Sequence, residues 1–463
     1  MATTITQRPL YSILPVGQDI IFTVSNPAVT TFFNVKFIAE VYISNTLPST
    51  ATADLVGTFK TTPNTVGVGI FDFSAVVENH VKSDNLSLVN ASYYKTVLAT
   101  PSPTYPIHIT DKWSPNSKAM AWMIIKFSME GSITATGIPE FVQGSDQQSV
   151  NYEIFNGYLK YTEKLNTFDN DFGFDLRDFQ PAPVPGDPRG STKKFLTNAS
   201  TTQYANVEDY GTVALLNQTA ATDYMEILYY DSTGAHLSGL DDTIYTYITS
   251  ALISDVRLRL LYFGCFPANL HNWSANFAAA LLLDLSYYTV RAFDEDSNAV
   301  TKSYTININC PTLKGYVPIR LAWLNQWGVW DYYTFTKKSS RTISTKGSTY
   351  TQLEGTWNEA AFRLNGYRGG KKAFRVNATE KIKMNTDFVN ESESEWFEEL
   401  INSPEVYMLE GFQTDSSIPL LNTYVTPVRL TTSSYTRKTI ANDKLMQYTF
   451  EVEKSKTLRT QAV

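Results

Sequence analysis

Residues 321–335 place the strongest constraint on the fold of this chain. Within this segment lie three tryptophans, two tyrosines and a phenylalanine, and the only charge is Asp331. Residues 325–328 form a tight connection between two alternating segments, Ile319, Leu321 and Trp323 before it and Trp330, Tyr332 and Thr334 after it. This pattern predicts a strand, a turn and a strand. Because aromatic side chains bury large areas and tolerate a partly wet interface, the segment forms either the core of a sandwich or a contact surface for another chain.

The composition favours a mainly β fold. Charged residues make up 18% and aromatic residues 13% of the 463 residues. Threonine, serine, tyrosine and valine are abundant, and such residues suit a pleated, half-buried surface. Alternation with period 2 marks several strands, for example at residues 35–43, whereas helical spacing occurs at residues 72–82 and 391–402. We therefore expect tandem immunoglobulin- or fibronectin-like β-sandwich domains with a few short helices.

Changes of pattern along the chain predict four segments. Residues 1–135 read as an N-terminal β-sandwich with one short helix, and residues 201–315 as a second β-sandwich. Between them, residues 136–200 form a long loop region rich in Asp, Pro and aromatic residues, of a length that is usually functional or partly disordered. Residues 316–463 are expected to form a C-terminal β domain with the aromatic hairpin and one helix.

Charge and hydropathy argue against two classes of partner. The formal net charge is −7 and the lysine and arginine residues are scattered, whereas a nucleic-acid binder needs clustered cations. The longest apolar run, residues 277–283, is too short to cross a bilayer. The first ten residues lack the apolar stretch of a signal peptide, so we expect a soluble protein made in a cytoplasm, with no nucleic-acid or membrane partner.

Two groups of acidic residues match cation sites in part. Asp294, Asp296 and Asn298 match the opening of a calcium loop, but Ala299 and Thr305 stand where such a loop needs Gly and Glu. A polar hairpin turn is therefore favoured there. In the long loop, a solvated acidic segment is favoured over a bound cation for four residues: Asp169, Asp171, Asp175 and Asp178.

The glycine-rich segment 366–372 carries Arg368 and Lys371. A phosphate-binding loop needs Ser or Thr after its lysine and then a helix, whereas Lys372 occupies the hydroxyl position here and a strand pattern follows. The segment therefore predicts a turn with basic edges that suits contact with an acidic partner chain.

Catalytic and metal-binding patterns are missing from the sequence. The four histidines form no ligand pair by spacing, and the common nucleophile and zinc-protease motifs do not occur. We expect no enzymatic activity, no metal and no cofactor. Because glycosidase carboxylates meet only in space, a glycan-degrading enzyme stays open as the weaker alternative. For Cys265 and Cys310, a single bridge and two buried thiols both stay open.

Six segments stand out in their order along the chain: Leu14-Pro-Val-Gly-Gln-Asp-Ile-Ile-Phe22, Val35-Lys-Phe-Ile-Ala-Glu-Val-Tyr42, Gly69-Ile-Phe-Asp-Phe-Ser74, Phe195-Leu-Thr-Asn198, Leu324-Asn-Gln-Trp-Gly-Val-Trp-Asp-Tyr-Tyr-Thr-Phe335 and Glu393-Ser-Glu-Trp-Phe-Glu-Glu-Leu-Ile-Asn-Ser-Pro-Glu-Val-Tyr407. Together they resemble structural proteins of tailed bacteriophages and of related phage-like particles of Bacteroidota hosts. The resemblance spans most of the chain and assigns no residue a role.

The resemblance implies a non-enzymatic virion component with fibronectin-like domains, most simply in the tail (tail tip, baseplate or neck). Such a subunit is assembled in the cytoplasm of the bacterial host. A low-charge chain of sandwiches with long loops suits a homo-oligomer, such as a ring, that also contacts other virion proteins. The candidate interaction residues are Trp323, Trp327, Trp330, Tyr332, Phe172, Phe174, Arg368 and Lys371.

Another class of function also stays open. In a receptor- or carbohydrate-binding module of a tail fibre, Trp327, Trp330 and Tyr332 would stack on the sugar rings of a host-surface glycan. Binding of glycans by the isolated chain would favour that module. Turnover of a capsular polysaccharide would favour the virion glycan-degrading enzyme.

Overall fold

The computed structural model describes residues 2–50, 52–87, 106–160, 176–217, 222–248, 254–309, 315–356, 359–411, 424–436, 446–456 and 458–459. The chain is mainly β, with 43% strand and 13% helix, which confirms the predicted fold class. It divides into two units. Unit 1 comprises Met1–Asn309, Leu324–Tyr332 and Phe412–Leu421, and unit 2 comprises Cys310–Trp323, Tyr333–Gly411 and Asn422–Val463.

The first part of unit 1 is built from strands of two to 13 residues and one short α-helix. In chain order these are β1 (Thr4–Gln7), β2 (Ile13–Pro15), β3 (Ile21–Ser25), β4 (Phe33–Ser44), β5 (Asp54–Thr61), β6 (Val68–Asp72), α1 (Ser74–Val77), β7 (Trp113–Pro115), β8 (Met120–Ser132), β9 (Glu140–Phe141), β10 (Gln147–Gln148) and β11 (Tyr152–Phe155).

Two sheets of this part share one hydrophobic core. One sheet has the order β1-β3-β6, and the other has the order β2-β11-β8-β4-β5 with β9 and β10 paired to β8. On β4, Phe37, Ala39 and Val41 are buried while the residues between them are partly exposed, as alternation predicts. These side chains pack in the same cluster as Phe22 of β3 and Phe127 of β8. Unit 1 therefore contains a sandwich-like pair of sheets.

The second part of unit 1 contains two further sheets and two consecutive helices. Its elements are β12 (Thr202–Ala205), β13 (Val213–Leu216), β14 (Tyr224–Asp231), β15 (Asp242–Tyr245), β16 (Leu260–Phe263), α2 (Pro267–Trp273), α3 (Ala275–Leu282), β17 (Leu285–Phe293) and β18 (Tyr304–Ile308).

The sheets of unit 1 cross the boundaries expected at residues 135 and 200. The five-stranded sheet has the order β12-β18-β17-β14-β15, and β13 and β16 form a separate sheet with β7. Since β7 lies in the first expected segment and β16 in the third, both segments belong to one unit. The first large sheet also runs past residue 135 through β9, β10 and β11. The compact units therefore differ from the four expected segments.

Unit 2 and the aromatic hairpin supply the remaining elements. These are β19 (Ile319–Leu324), β20 (Trp330–Phe335), β21 (Ser340–Gln352), β22 (Gly370–Asn385), α4 (Glu391–Asn402), β23 (Val406–Leu409), β24 (Val425–Leu430), β25 (Thr449–Lys454) and β26 (Leu458–Arg459). The sheet has the order β20-β19-β23-β24-β25-β22-β21, with β26 paired to β22. The predicted strand–turn–strand is confirmed.

The helix predicted at residues 391–402 is confirmed, and its capping explains where it begins. Asn390 Oδ1 accepts a hydrogen bond from the backbone N–H of Glu393 at 2.9 Å, and Glu393 Oε2 accepts one from the backbone N–H of Asn390 at 2.9 Å. This reciprocal pair satisfies N–H groups that the first turn leaves without helical partners. Glu391 and Glu393 also lie in the first turn, where the positive end of the helix dipole stabilises acidic side chains.

Asp84 is a buried carboxylate that joins separate parts of unit 1. Its Oδ1 accepts hydrogen bonds from the backbone N–H groups of Ser117 at 3.0 Å and Lys118 at 2.8 Å, and the Tyr262 hydroxyl donates to Oδ2 at 3.2 Å. Burial raises the pKa of the Asp84 carboxyl above its usual value, and these hydrogen bonds oppose the rise. The folded chain then holds this proton more tightly than the unfolded chain. The stability from this group is therefore present at low pH and declines as pH rises through the folded pKa.

Asp84→Asn is expected to remove this pH dependence and to keep the hydrogen bonds. The amide oxygen accepts the same two backbone N–H groups, and the amide N–H donates to the Tyr262 oxygen. Asp84→Ala leaves both N–H groups without their acceptor and should lower the free energy of unfolding by about 3 kcal/mol. Urea unfolding between about pH 4 and pH 7 measures both effects. The wild-type chain should lose stability relative to Asp84→Asn as the pH rises, and parallel curves would contradict this expectation.

The state of the cysteines is settled in part. Cys265 is buried and carries a free thiol, whose pKa is raised by burial. Cys310 lies outside the described residues.

Across the described ranges, no helix combines the length and the apolar composition needed to span a bilayer.

Candidate functional site

Four candidate residues of the aromatic hairpin are buried. Trp323, Trp327, Trp330 and Tyr332 are each less than 5% exposed. The core interpretation of this segment is therefore correct, and its interpretation as an exposed contact surface is wrong. Alternation places large side chains on both faces of the hairpin, and both faces are covered by other parts of the chain.

Two polar side chains of the hairpin tip make hydrogen bonds inside unit 1. Trp330 Nε1 donates to the backbone oxygen of Asp84 at 2.7 Å. The Tyr332 hydroxyl lies 2.9 Å from His108 Nδ1 and 3.0 Å from Thr212 Oγ1. Buried hydroxyl and indole N–H groups need such partners. These rings are therefore not available to stack on a sugar.

Trp323 and Trp327 pack against other aromatic rings. Within unit 2, the ring centre of Trp323 lies 4.8 Å from that of Trp396. Within unit 1, the ring centre of Trp327 lies 4.8 Å from that of Phe179. Aromatic pairs at such separations add stability beyond the burial of their area.

The structure describes only part of the other acidic and aromatic candidates. Phe172, Phe174, Asp169, Asp171 and Asp175 lie outside the described residues. Asp294 accepts from the backbone N–H of Asn298 at 2.7 Å and from its side-chain amide at 3.3 Å, as in the predicted polar turn. In the described part of the chain, no group of three or more His, Cys, Asp or Glu side chains is placed to hold a metal ion.

Arg368 and Lys371 are exposed and lie on one protruding feature of unit 2. We call residues 340–385 the arm: β21, β22 and their connection. β21 spans 13 residues and all but the last are exposed, and β22 spans 16 residues. The two strands pair from Ser340 opposite Lys383 to Gln352 opposite Gly370.

The arm changes character along its length. At its base, Ile382 and Met384 are buried and β22 pairs with β25. Beyond Val376 toward the tip, the residues on both strands are exposed or only partly buried. The distal arm is thus a two-stranded ribbon open to solvent on both faces. Such a ribbon has no core of its own and is at best marginally stable alone.

Large apolar side chains of the distal arm face solvent. Five are between 60 and 73% exposed: Leu353, Phe362, Leu364, Tyr367 and Phe374. Single exposed apolar residues are common, but a group of this size on one element marks a surface that contacts another molecule.

The arm is also basic, in an acidic chain. Residues 340–385 hold nine lysines and arginines and three glutamates, a formal charge of +6. At the base, Arg341 and Lys454 pair with Glu380 at 3.6 Å and 3.3 Å. Seven cations of the arm have no ion pair within the described ranges: Lys346, Arg363, Arg368, Lys371, Lys372, Arg375 and Lys383. The expectation that cations are scattered is therefore wrong for this segment.

Sequence reasoning missed most of the arm and found only its glycine-rich turn. Two signals identify it in retrospect. Residues 340–352 carry Ser, Thr or Lys at both odd and even positions. This pattern indicates a strand whose two faces are both exposed to solvent. The following segment combines cations with aromatic residues and has few acidic neighbours.

A second, partly exposed surface lies on the five-stranded sheet of unit 1. We call Tyr224, Tyr230, Tyr245 and Tyr287 the tyrosine face. Tyr230 and Tyr287 stack with ring centres 4.8 Å apart, and Tyr224 lies 5.4 Å from Tyr245. Cross-strand aromatic pairs of this kind stabilise a sheet. Only Tyr245 of the four is largely exposed.

Comparison with known proteins finds no family model and no curated protein that matches this chain. The arm and the tyrosine face are therefore the surfaces from which a function is inferred.

Proposed function

We propose that this chain is a non-enzymatic structural subunit of a phage-type particle, located in the tail (tail tip, baseplate or neck). It assembles through contacts with copies of itself and with other virion proteins. The observation that carries the proposal is the arm, a basic ribbon with exposed apolar side chains that protrudes from unit 2.

The energetics of the arm support an assembly role. Fixing the backbone of the ribbon loses conformational entropy, which costs about 1 kcal/mol or more for each residue. The distal arm buries little surface against its own chain that could offset this cost. Docking on a partner would remove the exposed apolar area from water, which stabilises by roughly 25 cal/mol for each Å². A partner surface would therefore supply the apolar burial that the distal arm does not find on its own chain.

The chemistry of the arm favours a protein partner. Interface centres are enriched in aromatic residues and arginine and depleted in acidic residues. The distal arm offers Phe362, Tyr367 and Phe374 beside Arg368 and Arg375. The six sequence segments that resemble virion proteins support a place for this contact in a phage-type particle. Such subunits bury their surfaces against neighbours in the particle.

The tyrosine face supports one alternative, a receptor- or carbohydrate-binding module. Tyr245 and the adjacent Tyr247 are 45% and 75% exposed, and their rings stack 5.4 Å apart. Exposed tyrosine rings on a sheet suit contact with a sugar. Glycan-array binding that Tyr245→Ala and Tyr247→Ala abolish would favour this alternative over assembly.

Truncation of the arm is expected to abolish assembly and leave the fold intact. Lys346 and Asn377 face each other, so replacing residues 347–376 with Asn-Gly closes the shortened ribbon with a two-residue turn. The pairing of β22 with β25 over Lys381–Asn385 is untouched. Sedimentation velocity should show the truncated chain as a monomer with an unchanged melting temperature. Mass spectrometry of particles encoded by the same genome should show that they exclude it.

The matched control removes exposed apolar area elsewhere. Ile133 and Ile138 lie in unit 1 and are more than 80% exposed. The double variant Ile133→Ser and Ile138→Ser should assemble as the wild-type chain does. If the truncated chain entered particles at normal stoichiometry, the arm would not be the assembly element. If the full-length chain were missing from purified particles, the proposed function itself would be wrong.

A further inference from the structure

Charge is divided unequally between the two units. Unit 1 holds 18 lysines and arginines against 31 aspartates and glutamates, a formal charge of −13, whereas unit 2 holds 20 against 14, a formal charge of +6. The two values together give the −7 of the whole chain. Between Lys194 and Arg257 the sequence has eight acidic residues and no lysine or arginine. The basic arm and unit 1 therefore carry opposite formal charges.

An exposed leucine pair lies on unit 1, C-terminal to this acidic segment. Leu282, the last residue of α3, is 87% exposed, and Leu283 is 55% exposed. The backbone then turns through Asp284, whose φ is 61°, into β17. Two neighbouring leucines at this exposure present apolar area to solvent.

Three aspartates lie on elements that adjoin this leucine pair in the sequence or in the sheet. Asp231 ends β14 opposite Leu285, the residue that begins β17. The Ser232 hydroxyl donates to Asp284 Oδ2 at 2.6 Å. β15 is antiparallel to β14, and its first residue, Asp242, pairs with Ile227, four residues before Asp231. Asp241 immediately precedes Asp242, and the backbone oxygen of Asp241 accepts from Asn276 of α3 at 3.0 Å. We call Leu282, Leu283, Asp231, Asp241 and Asp284 the leucine corner.

We infer that the distal arm of one copy docks on the leucine corner of a second copy. Exposed Phe362, Leu364 and Phe374 cover the leucine pair, while Lys371 and Arg375 lie against the aspartates. Charge complementarity of this kind fixes the register and accelerates encounter, and apolar burial supplies the affinity. The inference rests on the proposed function and adds the partner surface to it.

The geometry of this contact determines the type of assembly. The arm and the leucine corner belong to different units, so every copy offers one donor surface and one acceptor surface. Such a heterologous contact joins copies head to tail. It gives a ring if the rotation between copies closes and a filament if it does not.

Two variants of the full chain separate the two halves of the contact. The arm variant carries Lys371→Glu and Arg375→Glu, both at exposed positions of β22. The corner variant carries Leu282→Lys and Leu283→Lys at the exposed C-terminal end of α3, where cations suit the helix dipole. Because both changes lie on the surface, melting temperatures should match the wild type. Each variant alone should self-associate roughly 100-fold more weakly than the wild type.

Mixing the two variants gives the decisive result. The corner variant keeps an intact arm and the arm variant keeps an intact leucine corner, so an equimolar mixture can form one contact and no more. Sedimentation velocity should show dimers of the 52.0 kDa chain that do not grow further. A chain that carries all four changes lacks both halves of the contact and should stay monomeric.

Other outcomes overturn the inference and differ from one another. If the corner variant assembled normally while the arm variant stayed monomeric, the arm would dock elsewhere. If the arm variant instead lost binding to a DNA duplex while its self-association was unchanged, the arm's partner would be a nucleic acid. A wild-type chain that stayed monomeric at high concentration would also overturn it. Mass spectrometry of purified particles tests the proposed function separately, since a chain can be a virion part without this self-contact.

Discussion

Replacing Gly328 with alanine is expected to lower the free energy of unfolding by about 4 kcal/mol, at the upper end of single-substitution effects. Gly328 has a φ of 72°, a backbone conformation that residues with a Cβ adopt at a cost of about 1 kcal/mol. A Cβ at this position would also lie 1.5 Å from the backbone oxygen of Asn156. That segment is held in place, because the backbone N–H of Asn156 donates to Ala119 and that of Tyr158 to Gln326.

Gly144→Ala is the matched control for this clash. Gly144 has the same φ of 72°, but no atom lies within 4 Å of the position its Cβ would take. It should therefore show only the backbone cost of about 1 kcal/mol. Urea unfolding of both variants measures the difference. Equal losses in the two variants would mean that the chain around Asn156 moves aside, and would refute the close approach seen here.

Replacing Phe397 with alanine is expected to lower the free energy of unfolding by about 4 kcal/mol. Phe397 on α4 is fully buried at the centre of the aromatic core of unit 2. Its ring lies within 6.3 Å of five others, those of Trp323, Tyr333, Phe335, Trp396 and Phe450. Alanine leaves a cavity that rigid rings on several strands cannot fill. Calorimetry should show a transition displaced to lower temperature.

Phe374→Ala provides the comparison, since the same side chain is removed from the exposed arm. Phe374 is 60% exposed, so its loss should change the free energy of unfolding by less than about 0.5 kcal/mol. On the proposed docking, however, it should weaken self-association. A variant that unfolds as easily as Phe397→Ala would show that the arm packs on its own chain.

Local patterns predicted the elements whose signals are local. The helix at 391–402 was correctly bounded because its acidic first turn and apolar spacing lie within the element and Pro404 follows its end. The hairpin of β19 and β20 followed from alternation on either side of a glycine turn. In both cases neighbouring residues determine the backbone, so no distant partner has to be known.

Burial was harder to predict than secondary structure. An alternating strand shows which residues share a face, but not whether a face is covered. The sequence pattern allowed Trp327, Trp330 and Tyr332 to lie in the core or on the surface. They lie in the core, where Tyr332 and Trp330 make hydrogen bonds to His108 and Asp84, residues far away in the sequence. The helices α2 and α3 were missed because Pro267 and a short Ala/Leu run give no periodicity that separates a helix from a buried strand.

The hairpin tip also has a consequence for the order in which the chain folds. Residues 324–332 belong to unit 1, although unit 1 is otherwise built mainly from residues before 310. The bond from Trp330 to Asp84 spans 246 positions of sequence. Contacts between residues this far apart in the sequence close large loops. Proteins with a larger fraction of such contacts fold more slowly. On the ribosome, the N-terminal two thirds of the chain must wait in an incomplete state until the tip has been synthesised. During that interval, its open core is a target for chaperones and for mispairing with neighbouring nascent chains.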